Sequence, residues 1–194
     1  MSSRFSLAAG VLLASLAALP LSAQQSTGGA LRDTSGRDAQ YLDADACHAA
    51  CRLFPVGTPG DTHGNTVDCR LTYANKAYAE PYTYCTWAGP GGDGKCGTNC
   101  EGFCTLMMAA CTPASTAGHE YFDSFLDCQA ACNEVDDVGS YTTSNRSLQK
   151  GADTVQCRLY NVGAALDDSF NHCSHAIGAR LCVNAASGLE TNRP

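Results

Sequence analysis

Thirteen cysteines, all downstream of residue 46, constrain this 194-residue chain more than any other feature. In a reducing compartment a chain of this size seldom carries so many thiols unless it holds metals. An oxidising compartment turns them into crosslinks. Each of Cys47, Cys51, Cys69, Cys85, Cys96, Cys100, Cys104, Cys111, Cys128, Cys132, Cys157, Cys173 and Cys182 is therefore a disulfide candidate. Thirteen is odd, so at least one sulfur remains a thiol, joins a second molecule or holds something else. Nineteen glycines and a single tryptophan point to a loop-rich fold with modest cores, in which each closed loop contributes about 2–4 kcal/mol.

The amino end agrees with an oxidising destination. Arg4 precedes the apolar run Leu7 to Leu19, and "PLSA" offers a small-residue cleavage site after Ala23. This is the layout of a secretory signal peptide over residues 1–23, and the run is too short and too early for a membrane span. Gln24 stands where a lipoprotein signal would place cysteine. The expected location is secreted, extracellular or periplasmic, with no membrane span. Without its signal the chain carries eleven basic and nineteen acidic residues, a balance of −8. An acidic chain with no Lys/Arg cluster argues against nucleic acid and anionic membranes as partners.

The cysteines are written in two unequal copies. "NTVDCRLTYANKAYAEPYTYC" (Asn65 to Cys85) is echoed by "DTVQCRLYNVGAALDDSFNHC" (Asp153 to Cys173), with fifteen residues between the cysteines of each. Cys47-x3-Cys51 answers Cys128-x3-Cys132, and Cys96 answers Cys182. The division expected is a flexible lead at 24–40, a truncated five-cysteine unit at 41–96, an eight-cysteine unit at 97–184 and a tail at 185–194. Cys100, Cys104 and Cys111 have no counterparts before Cys47. Eight cysteines can pair completely and five cannot, which assigns the odd one to the first unit.

Four segments carry helical periodicity. Cys100, Cys104, Met107 or Met108, and Cys111 share one helical face, as do Tyr121, Phe125, Cys128 and Cys132. The methionines read as core filler. Helices joined by a loop as short as "TPASTAGH" lie antiparallel. Counted away from that loop, Cys104 is level with Cys128 and Cys100 with Cys132, and these are the pairings expected. The repeated segments open like capped helices, with Asp153 and Gln156, or Asn65 and Asp68, in capping-box spacing. Val155, Leu159 and Val162 form an apolar stripe answered by Val67, Leu71 and Ala74. Arg70 and Arg158 are placed on the helix flank, solvated or paired with a carboxylate. The fold class expected is mainly α: small disulfide-rich helical units in tandem, two unequal repeats, loop-rich.

Signals for chemistry are sparse. "NHCSHA" places His172 and His175 around Cys173, a spacing that could bind metal or haem iron if the cysteine were reduced. Their counterparts are Tyr84 and Trp87, so a ring replaces a ring and packing is favoured over ligation. No cofactor is expected, with metal or haem at His172 and His175 as the minority alternative. The chain has no nucleophile elbow, phosphate loop, HExxH or CxxCH motif, so an enzyme is disfavoured without being excluded. The acid pairs Asp136–Asp137 and Asp167–Asp168 read as solvated loops, and no catalytic residue is assigned. "NRS" makes Asn145 a formal glycosylation acceptor where the producing cell permits.

The order of "NTVDCRL", "DTVQCRLY", "HCSHA" and "MMAACT" resembles cysteine-rich repeat modules of predicted exported proteins from myxobacteria-like bacteria, over Cys47 to Cys182. The resemblance implies export and disulfides and names no catalytic residue. The function expected is a secreted, disulfide-stapled structural or binding module of the cell surface or extracellular milieu, without a catalytic centre of its own. Its partner would be another extracellular protein or a second copy, including a disulfide-linked dimer through the odd cysteine. The alternatives are a small-ligand, metal or haem carrier, and an enzyme or inhibitor whose site is assembled from distant residues.

Overall fold

Helix starts in this chain are written as polar side chains that accept the first backbone N–H groups. The computed structural model describes residues 39–144, 152–178 and 182. Within them run seven helices: α1 (Ala44–Cys51), α2 (Val67–Lys76), α3 (Pro81–Ala88), α4 (Asn99–Ala110), α5 (Phe125–Asn133), α6 (Val155–Ala165) and α7 (Ser169–Ala176). Among the described residues there is no strand, only an isolated parallel pairing of Asp136 with Thr154. Asp43, Thr66, Thr98, Ser124, Thr154 and Asp168 each cap the helix that follows. Thr98 and Glu101 close a full capping box. Helix α3 opens instead on Pro81, which needs no N–H partner there.

The caps of the repeated helices fall one residue later than expected. Thr66 and Thr154 cap α2 and α6, which releases Asn65 and Asp153 to bind the arginine of their own helix. Gln156 does not reach back to a cap. Its amide donates to Asp137 Oδ1 at 2.6 Å and to the Gly139 carbonyl, and its Oε1 accepts from Val138 N at 3.0 Å. Asp137 also accepts from Asn99 Nδ2, so it ties the start of α6 to α4 and is not merely solvated.

The core is centred on α4, which packs against α5, α6 and α7, while α6 also packs on α7 and α1, and α2 on α3. Phe103, Leu106 and Met107 of α4 share one buried cluster with Val155, Leu159 and Val162 of α6. Full burial of such side chains is worth about 1.5–3 kcal/mol each. The corresponding stripe on α2 is less complete: Ala74 is buried, but Val67 and Leu71 remain half-exposed, and Tyr73 and Arg70 take the inner face. Helix α5 starts at Phe125 because Ser124 caps it, leaving Tyr121 in the preceding loop. Phe125 and Leu126 point outward, so the buried face of α5 narrows to Cys128 and Cys132.

Five disulfides fasten these elements. Cys100 joins Cys132 and Cys104 joins Cys128 across α4 and α5. Cys111, at the C-cap of α4, joins Cys173 on α7. Cys69–Cys96 and Cys157–Cys182 each tie the first turn of a repeated helix to the last cysteine of its unit. All eight cysteines of the second unit are thus bonded. Cys47, Cys51 and Cys85 stand outside the five disulfides, where the odd count alone required one such cysteine. Ala39 and Gln40, read from sequence as the end of a flexible lead, are buried, with Gln40 donating to the Tyr141 carbonyl and Ala39 accepting from Thr143 N. The signal segment, the rest of the lead, Asn145 and the tail lie outside the described residues.

Candidate functional site

The packing of α1 on α6 opens a cleft of about 430 Å³ between the start of α1 and the turn from α6 into α7. Two local sequences build it. "LDAD" brings Asp43 and Asp45 into the first turn of α1, and "LDDS" brings Asp167 and Asp168 to the start of α7. Both are helix starts, where carboxylates are favoured by the unsatisfied N–H groups. Ala46, Ala49, Gly163 and Ala164 give the cleft a smooth floor between these two acidic edges, and His172 stands at one side.

Electrostatics in the cleft are dominated by carboxylates. The side chain and backbone of Asn171 donate to Asp168, holding its carboxyl below the usual carboxylate range, with His172 adding to the effect. Asp43 is engaged as the α1 cap at 2.7 Å from Ala46 N. Asp45 and Asp167 are exposed. The cleft therefore presents negative charge above an apolar floor, an arrangement that attracts a cation with an aliphatic stem.

His172 and His175 form an edge-to-face pair with ring centroids 5.8 Å apart. Their counterparts Tyr84 and Trp87 adopt the same edge-to-face relation at 5.2 Å. Cys173, between the two histidines, is bonded to Cys111 and offers no thiolate. His172 Nδ1 lies 3.5 Å from Asn161 Oδ1. Among the described residues no group of three or more His, Cys, Asp or Glu side chains is placed to hold a metal ion.

A second chemical cluster lies at the far end of α1. Cys47 and Cys51 are four residues apart on one face, and their thiols are joined by a hydrogen bond. That bond pulls the Cys51 thiol down to about 7, burial opposes it, and the Arg70 cation assists. Tyr41, buried beside them, is pushed well above its ordinary range by burial and then by the two cysteines.

Arg70 is 2 % exposed. It donates to the carbonyls of Gly89, Pro90 and Thr66 and to Asn65 Oδ1, and its guanidinium lies 3.7 Å from the centre of the Phe54 ring. Burial lowers its proton affinity, which Tyr41 and Cys51 oppose.

Sequence reasoning singled out the histidines and missed both the cleft and the thiol pair. The local signals were present as two Leu-Asp helix starts and one CxxxC. That the Leu-Asp starts face each other depends on α1 crossing to α6. Compared with protein-family models, with curated proteins and with solved structures, the chain matches none.

Proposed function

We propose that the chain is an exported binding module that engages a cationic segment of another extracellular protein in the cleft between α1 and the α6–α7 turn. The observation that carries this reading is the convergence, around one concave apolar floor, of carboxylates from two chain segments more than a hundred residues apart. A disulfide-stabilised helical scaffold supports it, because a rigid site loses little freedom when it binds. The signal-like layout of residues 1–23 and the resemblance to exported cysteine-rich modules support export.

The test is calorimetric titration with a lysine-rich peptide and with a glutamate-rich control. Asp45 and Asp167 are the residues to neutralise, since Asp43 and Asp168 also cap helices. Asp45→Asn with Asp167→Asn is expected to weaken the lysine-rich peptide by about tenfold, near 1.4 kcal/mol for two screened charges, and raised salt is expected to weaken the parent similarly. Equal affinity of parent and double variant would assign binding to another surface.

A further inference from the structure

The two units answer the same buried charge differently. In the second, Arg158 is held by Asp153, with Nε–Oδ1 at 2.8 Å and Nη2–Oδ2 at 3.0 Å. The two side chains form an ion pair. In the first, the position equivalent to Asp153 is Asn65, a neutral amide 2.8 Å from Arg70 Nη2. Every hydrogen-bond acceptor of Arg70 is neutral, yet the residue is more deeply buried than Arg158. A cation removed from water needs an opposite charge nearby. Glu101 is the weakest of the groups acting on Arg70, and its carboxylate is engaged by Thr98 N at 2.7 Å. Of the ionisable groups that act on Arg70, burial keeps Tyr41 protonated and Glu101 acts more weakly than Cys51, whose counterpart Cys132 is locked in a disulfide. The first unit has thus exchanged a carboxylate and a disulfide for an amide and a thiol.

We propose that Cys47 and Cys51 form a dithiol centre that exchanges with disulfides, with Cys51 as attacking thiolate, Cys47 as resolving thiol and Arg70 as the counter-cation. Three placements support it. Neither cysteine is fully buried, unlike the ten that are bonded. Residues four apart on a helix have Cα atoms about 6 Å apart, within the Cα span of a disulfide, while their Cβ atoms, about 5–6 Å apart, must close to about 4 Å by a local unwinding. Cys51 is the last residue of α1, where the chain can adjust to closure. The carboxyl end of a helix disfavours an anion, so the thiolate depends on the Cys47 S–H and on Arg70; Tyr41, the other titratable group facing it, is uncharged.

The chemistry balances without a further reactant. The Cys51 thiolate attacks one sulfur of a disulfide R–S–S–R′, the S–S bond breaks, and R′S⁻ leaves. Cys47 gives up its proton and its sulfur attacks that of Cys51, expelling RS⁻. The dithiol is oxidised by two electrons and the substrate disulfide reduced by two. One released thiol takes the Cys47 proton and the other is protonated by solvent.

Oxidised glutathione is the probe, applied to the full exported chain after one equivalent of dithiothreitol and followed by intact and peptide mass spectrometry. The parent is expected to release two equivalents of glutathione thiol and end as a Cys47–Cys51 disulfide. Cys47→Ser should stall with one glutathione on Cys51, and Cys51→Ser should take none. Asn65→Asp supplies the carboxylate that Arg158 has in Asp153 and is expected to slow iodoacetamide labelling of Cys51 at pH 7 about fivefold, because Arg70 is then neutralised and the thiol holds its proton more tightly.

A persistent adduct on the parent, preferential labelling of Cys47 or Cys85, or a covalent dimer through Cys51 as the end product would overturn the exchange. Unchanged labelling in a folded Asn65→Asp would remove Arg70 from it. None of these readouts involves the acidic cleft.

Discussion

A guanidinium held away from water is stable only with groups that answer both its hydrogens and its charge. Arg158 has both in Asp153, whose two oxygens meet Nε and Nη2 in a fork. The side chains are 9 % and 27 % exposed, so the pair is screened on the carboxylate side and worth less than a fully buried one. Asp153→Asn is expected to lower stability by about 2 kcal/mol, seen as an earlier urea midpoint with the slope unchanged. Asp167→Asn, exposed and engaged in no such pair, should stay within about 0.5 kcal/mol. Equal effects would mean that solvent already neutralises Arg158. Sequence placed both arginines on a helix flank with solvent or a carboxylate as partner. What it could not show was burial, because the atoms that enclose Arg70 are carbonyls of the Gly89–Pro90 turn, about twenty residues along the chain. Backbone acceptors leave no mark in residue type.

At the level of elements, spacing was readable where helices are long or crosslinked and silent where they are short. Cys100, Cys104, Cys128 and Cys132 report the register of α4 against α5 directly, since only one antiparallel alignment levels both pairs. The eight-residue helices α1, α3 and α7 span barely two turns, too few for an apolar period to stand out, and they form because neighbours hold them, with a side-chain cap on α1 and α7 and Pro81 opening α3. Glycine shows how far neighbours override local preference. In α4, a Cβ on Gly102 would lie 2.1 Å from the Pro90 carbonyl oxygen, which Arg70 fixes in place. In α6, a Cβ on Gly163 would meet nothing within 4 Å. Alanine favours a helix over glycine by about 1 kcal/mol, whereas overpacking costs about 1–3 kcal/mol or more. Gly102→Ala should therefore destabilise by about 2 kcal/mol and Gly163→Ala should stabilise by up to about 1 kcal/mol, measured by thermal or urea unfolding. The same sign for both would show that the Gly89–Pro90 turn can yield.

For the molecule as a whole, the cysteines define which elements are tied together. Four bonds join cysteines between positions 100 and 182, and three of them end on or beside α4, at Cys100, Cys104 and Cys111. Upstream of Cys47 the sequence has no counterparts of Cys100, Cys104 and Cys111, while Cys47, Cys51 and Cys85 align with the three cysteines bonded to them. Three cysteines on or beside α4 without counterparts in the sequence match three cysteines outside the disulfides, which counting to an odd total could not reveal. The bonds that do exist are unequal in what they constrain. Cys104–Cys128 is nested inside Cys100–Cys132, so with the outer bond intact it closes only the short flanks between them, a loop-closure contribution of about 2.5 kcal/mol. Cys111–Cys173 joins positions 62 residues apart and ties the end of α4 to α7, a contribution of about 4 kcal/mol. All four sulfurs are buried, so replacing either pair leaves comparable voids. Cys111→Ala with Cys173→Ala is expected to unfold at lower urea than Cys104→Ala with Cys128→Ala, by the equivalent of about 1.5 kcal/mol under non-reducing conditions. The steeper slope expected for the first pair, from a more extended unfolded chain, distinguishes loop closure from lost packing. If the order were reversed, the α4–α5 hairpin and not the long tie to α7 would be what the crosslinks chiefly hold together.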